Sequence, residues 1–149
     1  MNPFDLKSAM LAKHAQHVVF IHFPIALFLT GVFFDFAARW RKSATLAAAA
    51  HLNLLVAAVF VLPTLATGIA AWQWQLEGQK LKGLLLLHLA LGFASGLLIC
   101  LVAWIHFRKR GAPGSALPSY CLPLELLTAV ILALTAHVGG FLSGVNVSG

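Results

Sequence analysis

Charge is what this sequence has least of. Only 9% of its 149 residues are charged, and four acidic residues stand against ten Lys and Arg. A soluble domain carries roughly 25% charged residues, so the composition excludes an ordinary soluble domain. Cysteine is also scarce. Cys100 and Cys121 show neither CxxC nor CxxCH spacing, so nothing in the spacing points to a zinc motif or to covalently attached haem. There is no phosphate loop, nucleophile elbow or dinucleotide fingerprint, which leaves a soluble enzyme without support. If the chain belongs to an enzyme at all, an oxidoreductase subunit is the expected kind. A cleavable signal peptide is not apparent either. The first apolar run is too long, contains Pro24 and Asp35, and ends in Arg39-Trp40-Arg41-Lys42, which reads as a stop.

What is abundant is apolar length: 60% of the residues are hydrophobic. They fall into four runs, near 18–40, 44–73, 83–108 and 120–143, each longer than the ~20 residues that cross a hydrocarbon core. Backbone groups cannot stay unpaired in lipid, so the runs are expected to be helices. A loop rich in Gly, Pro and Ser spans 111–119. Short connections predict an all-α, up-down-up-down four-helix transmembrane bundle as a single domain over 1–149. Residues 1–14 are polar and suit a short interfacial helix. Pro24 is expected to start or kink the first helix, and Asp35 lies one turn before Arg39.

The formal charge of +6 does not indicate nucleic acid, because the basic residues sit beside the apolar runs. Arg39, Arg41, Lys42, Arg108, Lys109 and Arg110 share one side; Lys7, Lys13, Lys80 and Lys82 share the other. The tight six are assigned to the cytoplasm, with both termini outside. Trp40 and Trp104 then mark the inner interface, and Trp72 and Trp74 the outer one. Both cysteines are expected as free thiols on the reducing side.

Ionisable residues at membrane depth are costly and are candidates for function. His22 opens the first run, His88 lies about five residues into the third, and His137 about six residues before the end of the fourth. At ~1.5 Å per residue, that is one layer roughly 8–9 Å below the outer surface. Thr67-Gly68 reaches it from the second run, Gly92 follows His88 by a turn, and Gly139-Gly140 follow His137. Small residues admit something flat against a backbone, and haem b needs axial imidazoles and an apolar slot but no cysteine. His22 and His88, on helices expected to be diagonal, are the first-choice axial pair, with His137 the substitute. His17 lies about 140° round an ideal helix from His22 and is placed near the haem edge. One haem is expected, a second not being excluded. Membrane histidines also simply join helices by hydrogen bonds, and Gly92 with Gly96 forms a GxxxG packing pattern. On the cytoplasmic side Asp35, His51 and Glu125 form a possible proton path or quinone site, or merely an Asp35–Arg39 pair and an interfacial Glu125. His106 is read as interfacial. His22 and His88 each lead through a helix to a basic cluster, an echo too weak to read as duplication.

His17-x4-His22-Phe23-Pro24-Ile25-Ala26-Leu27, Thr67-Gly68, His88 and His137-Val138-Gly139-Gly140-x-Leu142 resemble the bacterial four-helix membrane family known as domain of unknown function 2231. The likeness covers most of the chain, including the Gly- and Val-containing tail. It departs at Val18, where relatives often have proline after the first histidine. The resemblance implies the four-helix fold. Fusions of some relatives to Rieske-type or cytochrome c domains imply a redox setting and a periplasmic partner of that kind.

Three functions follow as expectations. The first is a b-type cytochrome-like electron-transfer subunit, passing electrons between quinol and an outer carrier. The second is a non-haem copper or zinc protein, with the three histidines as ligands. The third is a cofactor-free structural subunit. The bilayer is the one partner common to all, and a homo- or hetero-oligomer is compatible with each.

Overall fold

Residues 15–75, 78–110 and 117–144 are described by the computed structural model. They form four helices: α1 (Ala15–Arg41), α2 (Ala44–Gln75), α3 (Gly83–Arg110) and α4 (Cys121–Leu142). All four are long and apolar enough to cross a membrane, and at ~1.5 Å per residue even α4 exceeds the ~30 Å hydrocarbon core. The first three expected spans fall inside their helices, which run on by a few residues, and the fourth, 120–143, exceeds α4 by one residue at each end. The expected interfacial helix at 1–14 and the loop at 111–116 lie outside the described residues.

Burial shows what the helices face. Between 17% and 28% of each apolar window is buried inside the bundle. Large side chains such as Phe33 (65% exposed), Leu62 (73%) and Leu97 (72%) point outward. An aqueous surface would not tolerate that; hydrocarbon does. Trp40 and Trp104 are exposed near one end of the bundle and Trp74 near the other, where an aromatic belt sits.

The α1–α2 turn needs only Lys42 and Ser43. Lys42 takes a left-handed φ of 50°, the Ser43 amide returns to the Ala38 carbonyl, and Ser43 Oγ accepts from the Leu46 amide. α1 continues through Pro24 rather than starting after it. Proline at 24 deprives the Phe20 carbonyl of its helical donor. The Thr64 hydroxyl of α2 reaches that carbonyl at 3.1 Å, sharing its one proton with the Phe60 carbonyl of its own helix at 2.8 Å.

α1 packs on α2 and α4, and α3 on α2 and α4, so α1 and α3 lie on one diagonal, as the up-down topology predicts. The core joins Phe28 and Val32 of α1, Leu54, Ala57 and Val61 of α2, Ile99 and Val102 of α3, and Leu132 of α4. Gly96 seats α3 on α2: a Cβ there would lie 3.0 Å from Val61 Cγ1. That glycine serves packing.

The buried positions recur at a spacing of 71 residues (99 − 28). Phe28 pairs with Ile99, Val32 with Ala103, Asp35 with His106, Ala50 with Cys121, Leu54 with Glu125, Ala57 with Thr128 and Val61 with Leu132, and every member is buried. The two hairpins therefore present the same faces inward and begin at the same end of the bundle, as parallel repeats do. The repeat aligns His17, not His22, with His88.

Candidate functional site: two polar clusters at opposite ends of the bundle

The first cluster lies near the end where α1 starts. Among the described side chains of 16–23, 62–74, 83–94 and 133–142, only Val138 is buried. Buried side chains are thus concentrated in the middle of the bundle and at its other end. His17 and His88 stand half-buried in this end, on the diagonal helices and within electrostatic range of each other.

Each ring is held from the next helix in the same way. His88 Nδ1 lies 3.1 Å from the Thr135 carbonyl. A carbonyl only accepts, so in the neutral ring Nδ1 carries the proton and Nε2 keeps its lone pair. His17 Nδ1 lies 3.2 Å from Thr67 Oγ1, whose own proton goes to the Pro63 carbonyl at 2.8 Å. That hydroxyl is placed to accept from His17 Nδ1, the tautomer in which Nε2 again keeps the lone pair. The Thr64 carbonyl, which the 71-residue repeat equates with that of Thr135, also interacts with the His17 ring. Glycines complete the match. A Cβ on Gly68 would lie 3.0 Å from His17 Cε1, and one on Gly139 would lie 2.9 Å from His88 Cε1. Anchoring Nδ1 to a carbonyl or hydroxyl is how proteins orient an imidazole whose Nε2 binds a metal.

The other residues of the expected layer lie at its rim. His22 is exposed, and its Nδ1 turns to the Val18 carbonyl of its own helix. His137 is also exposed and meets Phe141 edge-on, with ring centroids 5.0 Å apart. The axial pair expected from the sequence, His22 with His88, is not the pair that is brought together; His17 takes the inward position. Gly92 is less confined than Gly68 and Gly139: a Cβ there would meet nothing nearer than Thr135 Cγ2, at 4.0 Å. Ser95 and Thr135, whose hydroxyls are 2.9 Å apart, tie α3 to α4 just below His88.

The second cluster lies at the opposite end. His106 Nε2 is 2.7 Å from Glu125 Oε1, and Cys121 Sγ is 3.4 Å from both atoms. The residues are 3%, 0% and 0% exposed for His106, Cys121 and Glu125. His106 is therefore not interfacial, and Glu125 is not a surface carboxylate: the end of α3 and the start of α4 fold both inward. Beside them Asp35 makes its expected pair with Arg39, at 2.7 Å. Arg39 and Asp35 in turn act electrostatically on Cys121, and Arg39 also on Glu125. Of the expected trio, Glu125 and Asp35 belong to this region, and His51 is half-buried on α2. Both cysteines are free thiols, Cys100 exposed and Cys121 buried. This second cluster offers three donor atoms that can hold a metal ion.

Sequence reasoning missed the His106–Cys121–Glu125 grouping, although two signals were present. Cys121 precedes Glu125 by one helical turn, and His106 ends the helix that the loop returns to them. The repeat spacing was the signal for His17.

No curated protein and no solved structure matches the chain. The model of one family, described as predicted membrane protein (DUF2231), matches residues 13–147. With its four spanning helices and nearly its whole length matched, the chain belongs to that membrane protein family.

Proposed function

We propose that the chain is a membrane electron-transfer subunit that binds one haem b between His17 and His88. The observation that carries this is the matched anchoring of the two rings: both Nδ1 atoms are engaged by the next helix, and both Nε2 atoms keep a lone pair on diagonal helices. Fewer side chains are buried inside the bundle at this end than elsewhere, which supports an apolar ring here, and Gly68 and Gly139 let the imidazoles seat deeply. Haem b held by two imidazoles supplies one-electron exchange between ferric and ferrous iron.

This chain's residues do the rest. Thr67 and the Thr135 carbonyl fix the tautomers. His22 and His137, exposed at the rim with Gly92 and Gly140 nearby, border the cofactor rather than ligate it. Among the described residues a second haem has no matched pair, because His106 is committed to Glu125. The basic clusters at 39–42 and 108–110 orient their end toward the cytoplasm of a bacterial inner membrane. The haem end and both termini then face the periplasm, within reach of a cytochrome c or Rieske-type partner. Quinol in the bilayer is the natural electron donor, and assembly into a larger redox complex is compatible with the lipid-facing surfaces.

The test is the visible spectrum of protein purified from a haem-sufficient host. A Soret band with a sharp reduced α band is expected. His17→Ala and His88→Ala should each lose the low-spin spectrum, while His22→Ala should keep it. Wild-type protein without haem, or His88→Ala with an unchanged low-spin spectrum, would overturn the reading.

A further inference from the structure

We infer that His106, Cys121 and Glu125 form a transition-metal site, Zn²⁺ being the best-suited ion, at the end of the bundle opposite the histidine pair. The inference does not depend on haem. Zinc takes sulfur at about 2.3 Å and nitrogen or oxygen at about 2.0–2.1 Å, so tetrahedral ligand atoms stand about 3.3–3.6 Å apart. Cys121 Sγ already stands 3.4 Å from both His106 Nε2 and Glu125 Oε1. Only the 2.7 Å separation of His106 and Glu125 has to open, by roughly 0.6 Å on that tetrahedral geometry. Three protein ligands leave a fourth position for a further ligand.

An ordinary buried ion pair between α3 and α4 accounts for less. It needs no thiol. It also leaves Glu125 Oε2 buried with no hydrogen-bond partner among the described residues, a costly condition for a carboxylate that is 0% exposed. A cation held at Oε1 neutralises the carboxylate as a whole, beyond what Arg39 does electrostatically from its side.

The repeat gives an internal comparison. The positions equivalent to Cys121 and Glu125 in the first hairpin are Ala50 and Leu54, both buried. The same packing environment is satisfied there by two apolar side chains, so the fold does not require a thiol and a carboxylate at these places. The second hairpin alone concentrates three metal-binding side chain types there. Soft thiolate, imidazole and carboxylate together select a borderline ion such as Zn²⁺ over Mg²⁺ or Ca²⁺. Binding displaces the thiol proton of Cys121 and the proton held between His106 and Glu125.

The test uses the full chain in detergent, stripped with a chelator and then titrated with Co²⁺. A His17→Ala/His88→Ala background keeps haem absorption out of the measurement. The expected result is one Co²⁺ per chain with a thiolate-to-cobalt absorption band, displaced by one equivalent of Zn²⁺. The band should vanish in Cys121→Ala. As a check that needs no change in the site, Zn²⁺ should slow alkylation of Cys121 in Cys100→Ala protein by at least tenfold. No stoichiometric binding, a thiolate band that survives Cys121→Ala, or alkylation indifferent to Zn²⁺ would overturn the site without touching the haem reading.

Discussion

Gly139 and His88 approach so closely that a methyl group on the glycine would stand 2.9 Å from His88 Cε1. Gly31 is crowded to a similar degree, its methyl position lying 2.8 Å from Leu54 Cγ, but at a contact between α1 and α2 with no histidine. The two glycines should therefore separate cofactor from packing. Gly139→Ala should lower haem content severalfold or turn the spectrum high-spin, with a small change in stability. Gly31→Ala should cost about 1–3 kcal/mol through overpacking and leave the spectrum of folded protein unchanged. Haem titration and detergent unfolding of both variants decide it; equal spectral effects would remove the glycine from the proposed site.

Thr64 and Pro24 should be energetically coupled. The Thr64 hydroxyl reaches the Phe20 carbonyl at 3.1 Å and that of Phe60 at 2.8 Å. Thr64→Val keeps the shape and removes the donor, at an expected cost of about 0.5–1.5 kcal/mol. In a Pro24→Ala background the backbone N–H restored at that position can serve the Phe20 carbonyl, so the same substitution should cost less. Additive losses in a double-mutant cycle would show that Thr64 does not compensate for the proline.

The four helices were legible because lipid leaves the chain no alternative: an apolar run of that length must pair its own backbone. The site was legible only in part. Depth along each helix placed His22 with His88, but depth does not say which way a side chain turns. His22 and His17 differ by about 140° in rotation, and rotation is decided by packing, which sets Phe28, Val32 and Asp35 inward and with them His17. His106 looked interfacial for a similar reason. Its neighbours Phe107, Arg108 and Lys109 are exposed, and only the contact with α4 reveals that the ring points the other way.

Orientation can be checked directly. In protein whose own cysteines are replaced, Lys109→Cys should react with a membrane-impermeant maleimide only when the cytoplasmic face is opened, and Lys82→Cys should react in intact cells. The expectation rests on the six clustered basic residues against the four dispersed ones. The reverse labelling pattern would move the proposed haem end to the cytoplasm and exclude a periplasmic redox partner.

His106 and Glu125 should be worth little as a pair and much as individuals. Removing one partner from a buried pair strands the other, at a cost of about 3–5 kcal/mol, whereas replacing both by apolar residues is often neutral or stabilising. Here the first hairpin already carries Leu54 at the position equivalent to Glu125, so leucine has a known fit to that environment. In chelated protein His106→Leu should therefore be strongly destabilised, because among the described residues Glu125 keeps as hydrogen-bond partner only the weak Cys121 contact at 3.4 Å, with Arg39 acting on it at longer range. His106→Leu/Glu125→Leu should recover most of the loss. Unfolding in mixed micelles, followed by circular dichroism, measures all three proteins. If the double variant is as unstable as the sum of the two singles, the cluster is required by the fold itself, and the internal comparison with Ala50 and Leu54 no longer argues for a metal.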